Sequence, residues 1–277
     1  MKTKATLAAI SLAALSLFTA CTDADTTPEL VTVRLGFNGF ETETAPMTRA
    51  SVGDYVNHLD FWPISGTDTT VIHQQSSDAD FGTYEATLNN QKEYTLYAVA
   101  HKVNGNATLS NNIISFPDNK VTHTFFISRT FTPTKNMSLD LTMQRIVAQF
   151  SLTTTDEVPD WCKTIRFTIF DVYDRWNISS GGTHLLNRVT TFENFSTKQD
   201  GTVTCNLYAI VEETSTDHDI LIEALDADGN IIESHTLTDV PLRNNYRTVA
   251  SGVFFSDAAS AFTFQAQNWA GDFKYDF

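Results

Sequence analysis

Apolar and polar positions alternate with a period of two along most of this chain. From Leu30 to Phe40, Val31, Val33, Leu35 and Phe37 fall on one face and Thr32, Arg34 and Gly36 on the other, which predicts a strand with one buried side. In Lys92–Lys102, Tyr94, Leu96, Ala98 and Ala100 share a face while Tyr97 and Val99 take the opposite one, so this strand is expected to be covered on both sides. Val56–Ile64, Phe81–Leu88, Ile113–Phe116 and Val121–Ile127 add shorter candidates. Leu139, Leu141 and Met143 alternate, and Ile146, Ala148, Phe150 and Leu152 continue after a phase shift at Arg145. A bulge or bend in one strand would give that shift. Further along, Ile165–Tyr173, Val203–Val211, Ile220–Leu225, Tyr246–Phe255 and Phe262–Ala266 read as strands. Asp226-Ala227-Asp228-Gly229-Asn230 predicts a hairpin turn, and Gln199-Asp200-Gly201-Thr202 a second turn. About a dozen short strands result, with no convincing amphipathic helix. The fold class is all-β, of sandwich or barrel type. Arg129–Asn136 holds Pro133 and few large apolar residues, so it reads as a join between two halves, residues 30–135 and 136–277, each of ordinary sandwich size. One extended sandwich is the alternative.

The opening residues follow a different rule. Lys2 and Lys4 precede a mostly apolar run from Ala5 to Leu17, long enough for a secretory leader and too short to span a bilayer. Leu17-Phe18-Thr19-Ala20-Cys21 resembles a lipobox: small residues before the cut, then a thiol to carry the lipid. Residues 1–20 are therefore expected to be a lipoprotein signal peptide, Cys21 the lipidation site and residues 21–29 a tether. Thr22-Asp23-Ala24-Asp25 resembles the short acidic signal that sends such lipoproteins to the outer face of the cell outer membrane. An exported location also permits a disulfide between Cys162 and Cys205, with two buried free thiols as the alternative.

Charge narrows the partners. The chain carries a net charge of −15, and loss of Lys2 and Lys4 with the leader takes it to −17. No basic run occurs, so nucleic acid and anionic lipid surfaces are poor partners. Twenty phenylalanines against twelve glycines and seven prolines point to packed cores and not to a stalk of low complexity.

Catalytic and metal signatures are missing from the sequence. The seven histidines are scattered without paired spacing, and no phosphate loop, nucleophile elbow or dinucleotide fingerprint occurs. The Asp226–Asn230 run lacks the ligand spacing of a calcium loop. No metal, no cofactor and no enzymatic activity are expected. Trp62, Trp161, Trp176 and Trp269 offer a sugar-stacking platform as an alternative to packing, with Trp161 and Trp176 bracketing one candidate strand.

Three segments carry a family resemblance: Leu141-Thr142-Met143-Gln144-Arg145-Ile146-Val147-Ala148-Gln149-Phe150, Pro241-Leu242-Arg243-Asn244-Asn245-Tyr246-Arg247-Thr248 with Gly252-Val253-Phe254, and Thr48-Arg49-Ala50. Together they resemble the fimbrillin-type fimbrial subunits and anchors of Bacteroidales, the type V pilus proteins. The resemblance implies two transthyretin-like β-sandwich domains in tandem and assembly by β-strand exchange with other fimbrial subunits. It implies cleavage between Arg49 and Ala50, release of the strand bearing Val31, Val33, Leu35 and Phe37, and refilling of the groove by a neighbour's C-terminal segment. Phe273, Tyr275 and Phe277 alternate with Lys274 and Asp276, and are the candidate donor strand. The implied function is a structural subunit of a surface fimbrium, as stalk, tip or lipid-held anchor. A surface lipoprotein that binds glycans is the alternative.

Overall fold

The computed structural model describes residues 29–40, 55–193, 195–212, 216–256 and 262–268. In chain order the strands are β1 (Leu30–Phe40), β2 (His58–Ser65), β3 (Asp68–Thr69), β4 (Ile72–Gln75), β5 (Thr83–Asn89), β6 (Tyr94–His101), β7 (Thr108–Ser110), β8 (Ile113–Ser115), β9 (Thr124–Phe131) and β10 (Met137–Arg145). They continue as β11 (Ala148–Thr154), β12 (Thr164–Asn177), β13 (Gly181–Glu193), β14 (Thr204–Ala209), β15 (Thr216–Leu225), β16 (Ile231–Leu242), β17 (Tyr246–Gly252) and β18 (Phe262–Asn268). The all-β expectation holds, and the architecture is of sandwich type.

The first sheet runs β3-β2-β6-β9-β10-β1-β5, with β4 also on β2. It folds over on itself. β9 meets β10 only through Gln144 and Arg145, whereas β10 pairs with β1 over Met137–Met143. That narrow seam lets the β5-β1-β10 half lie over the half carrying β2 and β6. Val31, Val33, Leu35 and Phe37 from one half then bury against Leu59, Phe61, Leu96, Ala98, Ala100 and Phe125 from the other. The Phe37 and Phe61 rings sit 5.5 Å apart across this core.

The second sheet, β14-β11-β17-β18, packs over the third, β16-β15-β12-β8-β7 with β13 on β12. Phe150, Leu152, Leu207 and Ala250 meet Phe167, Ile169, Ile220, Ile222, Leu237 and Leu242 in the core between them. Inward side chains recur at every second position, as the pleat requires.

A third apolar cluster joins these two bodies: Trp62, Val99, Ile114, Phe116, Ile146, Val147 and Ile210. Here the sequence expectation needs correcting. The phase shift at Arg145 is not a bulge within a strand. β10 ends in the first sheet, Ile146 and Val147 are both buried as the chain crosses the join, and β11 starts in the second sheet. Two consecutive buried residues break the period because apolar surface surrounds the crossing on both sides. The Arg129–Asn136 segment links β9 to β10 within one sheet. β7 and β8 lie early in sequence yet pair onto the far end of β12, through Ile113, Ile114 and Ser115.

Candidate functional site

Two places in this fold could do something beyond hold it together: the bed of β1 and a cleft at the join.

β1 is an inserted strand. It pairs in parallel with β10 and antiparallel with β5, so both of its edges are hydrogen-bonded. Val31, Val33, Leu35 and Phe37 are 0–5% exposed, as the alternation predicted. Further hydrogen bonds tie the start of the strand. Asn136 Oδ1 accepts the Thr32 N–H at 2.9 Å, and Asn90 N–H donates to the Glu29 carbonyl at 2.9 Å. Without β1, the inward faces of β5 and β10 would lose their cover and both edges would be unpaired. Cys21, Arg49, Ala50, Trp269 and the candidate donor residues Phe273, Tyr275 and Phe277 lie outside the described residues.

The cleft has a volume of about 830 Å³. Five segments wall it: Phe126 of β9, Gln144–Ile146 at the end of β10, the β12–β13 hairpin from Tyr173 to Gly182, Val211–Glu212 after β14, and Arg243–Tyr246 between β16 and β17. Two of the family-pattern segments meet here although about a hundred residues separate them. β11 pairs in parallel with β17 through Gln149 with Arg247 and Phe150 with Thr248. Asn245 N–H donates to the Val147 carbonyl at 2.9 Å. Asn244 clips Val211 from both sides: Oδ1 accepts its N–H at 3.2 Å, and Nδ2 donates to its carbonyl at 2.9 Å. The Thr248 hydroxyl donates to the Pro241 carbonyl and closes the β16–β17 turn. These segments hold the join together, which accounts for their residue types.

Aromatic rings and guanidinium groups line the cleft. Tyr173 donates its hydroxyl to Glu212 at 3.2 Å. Trp176 packs on Phe126 at 5.7 Å. Arg243 lies 4.5 Å over the Tyr246 ring, and Arg145 lies 4.6 Å over Phe125. Burial lowers Arg145 to about 10, which leaves it charged at neutral pH. The same burial, with Arg145 and Lys102 adding repulsion, drops His123 to about 4; its Nε2 sits 2.8 Å from the Tyr208 hydroxyl. Two polar atoms of the lining, Trp176 Nε1 and Asn245 Oδ1, are buried without a hydrogen-bond partner among the described residues.

The tryptophans do not form one platform. Trp161 packs on Phe255 at 6.1 Å against the core between the second and third sheets, Trp176 belongs to the join, and Trp62 is buried. Cys162 and Cys205 share that core as free buried thiols, so the disulfide reading is replaced by the other one. Burial raises them to about 11 and about 12.

Sequence reasoning missed one cluster. His58, Asp60, His73 and His101 come together because β2 lies between β4 and β6. Asp60 is fully buried; its carboxyl oxygens lie 2.5 Å from His73 Nδ1 and 2.9 Å from His101 Nε2, and one accepts the Ala107 N–H at 2.8 Å. Val103 N–H donates to His101 Nδ1, which puts the ring proton on Nε2, facing Asp60. His58 stacks on His101 at 5.4 Å, and burial lowers its pKa. The cluster clasps the loop after β6 to the sheet. Among the described residues no group of histidine, cysteine and acidic side chains fits a metal ion. Only the in-register pairing of His58 with His101 and of Asp60 with His73 could have revealed the cluster.

Comparison with solved structures shows a shared fold. A candidate adhesin from Bacteroides ovatus aligns with a TM-score of 0.54 at 12% identity, covering 88% of this chain and 99% of that one. A protein from Bacteroides thetaiotaomicron, described as a candidate polysaccharide-binding protein, aligns at 0.52 and 12%, covering 88% and 98%. A candidate cell adhesion protein from Bacteroides ovatus aligns at 0.50 and 12%, covering 91% and 100%. The fold is thus the one found in adhesin-type proteins of this bacterial group, in keeping with the fimbrillin-type resemblance. No curated protein matches the sequence. One family model does match, over residues 106–273, from just before β7 to beyond β18; this is more than half of the chain, which therefore belongs to the family of unknown function DUF6562.

Proposed function

We propose that this chain is a cell-surface, adhesin-type subunit of a fimbrium that joins its neighbours by exchange of a β-strand. The observation that carries the reading is β1: a strand from the N-terminal end of the chain, paired on both edges and bearing four buried apolar side chains. Cutting at Arg49–Ala50 would sever β1 from β2. An empty bed would then present unpaired backbone and apolar surface, which another strand of the same alternation refills. In this reading Phe273, Tyr275 and Phe277 supply the donor, Cys21 carries the lipid during export, and no catalytic step is involved. The fold shared with candidate adhesins supports a surface role.

Intact mass and N-terminal sequence of protein taken from the native cell surface test this. A chain beginning at Ala50 within a ladder of polymers is expected for a stalk or tip subunit. A chain beginning at acylated Cys21 assigns the anchor role if it recovers with fimbriae. If it recovers alone, the fimbrial reading fails.

A second reading, a surface module that binds glycans, is favoured by the cleft at the join. Its lining combines aromatic rings with hydrogen-bonding side chains, and one protein of similar fold is described as a candidate polysaccharide-binding protein.

A further inference from the structure

We propose that the cleft at the join binds an acidic pyranose, a uronic-acid unit of a polysaccharide, through Arg243 and the ring face of Trp176. The inference rests on the glycan reading and gives it a site and a ligand class.

The size is suitable: about 830 Å³ falls within the roughly 300–1,000 Å³ of small-ligand sites. The chemistry of the lining selects the class. Trp176, Tyr173 and Tyr246 supply ring faces of the kind that pack on the C–H face of a pyranose. Ser179 and Ser180, exposed between β12 and β13, bring hydroxyls to the lining that both donate and accept. A sugar hydroxyl does the same. The Asn244 amide, by contrast, is spent on Val211 and is not available.

Charge sets the acidic requirement. The chain is strongly negative at −15, yet this lining holds Arg145 and Arg243 against the single acidic side chain Glu212. Arg243 is exposed and held over Tyr246, so its fork is pre-positioned for a carboxylate. Burial makes the charged form of Arg145 costly, and an anion nearby offsets that cost. A carboxylate on a polar ring answers both features of the lining, the exposed guanidinium and the aromatic faces.

The shape depends on Gly182. A Cβ there would lie 2.6 Å from the Tyr173 ring and 3.0 Å from Ile210, so any other residue must push the Tyr173 ring aside.

The test is calorimetric titration of the full mature chain with oligogalacturonate and with its neutral counterpart, oligogalactose. Oligogalacturonate is expected to bind and oligogalactose to bind at least about tenfold more weakly, since a hydrogen bond to a charged group contributes roughly that factor. Arg243→Ala should weaken oligogalacturonate at least about tenfold and leave oligogalactose unchanged. Trp176→Phe, which keeps an aromatic ring on Phe126 and reduces the face offered to the sugar, should weaken both. Melting curves of both variants should match the parent. Equal binding of the two oligosaccharides, abolished by Trp176→Phe, would overturn the acidic requirement and leave the glycan reading standing. Binding of neither overturns the proposal, and if Trp176→Phe also leaves binding to a mixed glycan array unchanged, the glycan reading of the cleft falls with it. Binding that both variants leave intact places the site elsewhere and refutes the assignment.

Discussion

Leu35→Ala measured against Arg34→Ala separates an inserted strand from a strand laid on the surface. The two residues are neighbours on β1, but the pleat sends Leu35 into the core of the folded-over first sheet and Arg34 to solvent. Leu35 is 1% exposed and lies in the same core as Leu96 and Phe125. Truncating a buried leucine to alanine costs about 2–5 kcal/mol, through lost transfer energy and the cavity left behind. β1 is held on both edges, so its backbone cannot slide to close the gap, and the upper half of that range applies. An exposed arginine away from any buried network changes stability by about 0.5 kcal/mol or less. Urea unfolding followed by circular dichroism reads the difference. At a slope of roughly 2–3 kcal/mol per molar urea, Leu35→Ala should lower the midpoint by about 1–2 M and Arg34→Ala should barely move it. Equal midpoints for the two variants would refute the reasoning, because β1 could not then be the strand that fills the first core. The same numbers bear on strand exchange. Burial of four such side chains contributes roughly 6–12 kcal/mol, comparable with the whole stability of a typical domain. A cut chain is expected to stay folded only with another strand in the bed.

Asp60→Ala should cost about 3–5 kcal/mol in thermal unfolding, because it strands the ring protons of His73 and His101 and the Ala107 N–H at a fully buried position; a loss below about 1 kcal/mol would mean that water replaces the carboxylate. His123 is held neutral, with a folded pKa of about 4 against an ordinary value of 6.5. Between those values the unfolded chain binds more protons than the folded one, so this group makes stability fall as pH drops from about 6.5 to about 4. His123→Gln should flatten that part of the stability profile, and an unchanged slope would assign the loss to other groups. Cys162 and Cys205, buried and raised to about 11 and about 12, should not react with a thiol reagent at pH 8 until the protein unfolds, whereupon both are titrated.

Strands whose one face meets a core were legible from the sequence, because their alternation is a direct image of burial. β1 and β14 show this, as does the β15–β16 hairpin, whose Asp226 side chain accepts the Asp228 and Asn230 N–H groups and whose Gly229 has a φ of +82°. β13 was not legible. It is an exposed outer strand with Leu185 and Val189 more than half exposed, so no core imprints a period on it. The crossing at Ile146–Val147 looked like a bulge because a residue buried between two bodies has no polar side. The placement of β7 and β8 in the third sheet depends on three residues pairing with the end of β12, and nothing local encodes a partner some sixty residues away. The cleft was half visible. Both flanking motifs stood out in the sequence, but their meeting point is a product of the parallel β11–β17 pairing.

Assembly and recognition, as proposed, draw on separate parts of the molecule. The side chains that β1 buries belong to the first core, and none of them lines the cleft. The cleft is walled by the ends of β9, β10, β12 and β13 and by the β14 and β17 boundaries, all fixed by strands that cutting at Arg49 leaves in the chain. Gln144 and Arg145 are the nearest link, since β10 pairs with β1 up to Met143 and both follow it directly. The last pair of that ladder, Phe40 with Met143, therefore decides whether the two processes communicate. If loss of β1 frees β10 as far as Arg145, cutting will loosen one wall of the cleft. If the pairing of Gln144 and Arg145 with β9 holds β10 in place, the cleft keeps its shape in the cut chain. The second outcome is favoured, because Gln144 and Arg145 pair with Phe126 and Phe125 of β9 and the next two residues, Ile146 and Val147, are buried in the join. On the proposed reading, such a subunit would change partners along a fimbrium without disturbing the cleft at the join.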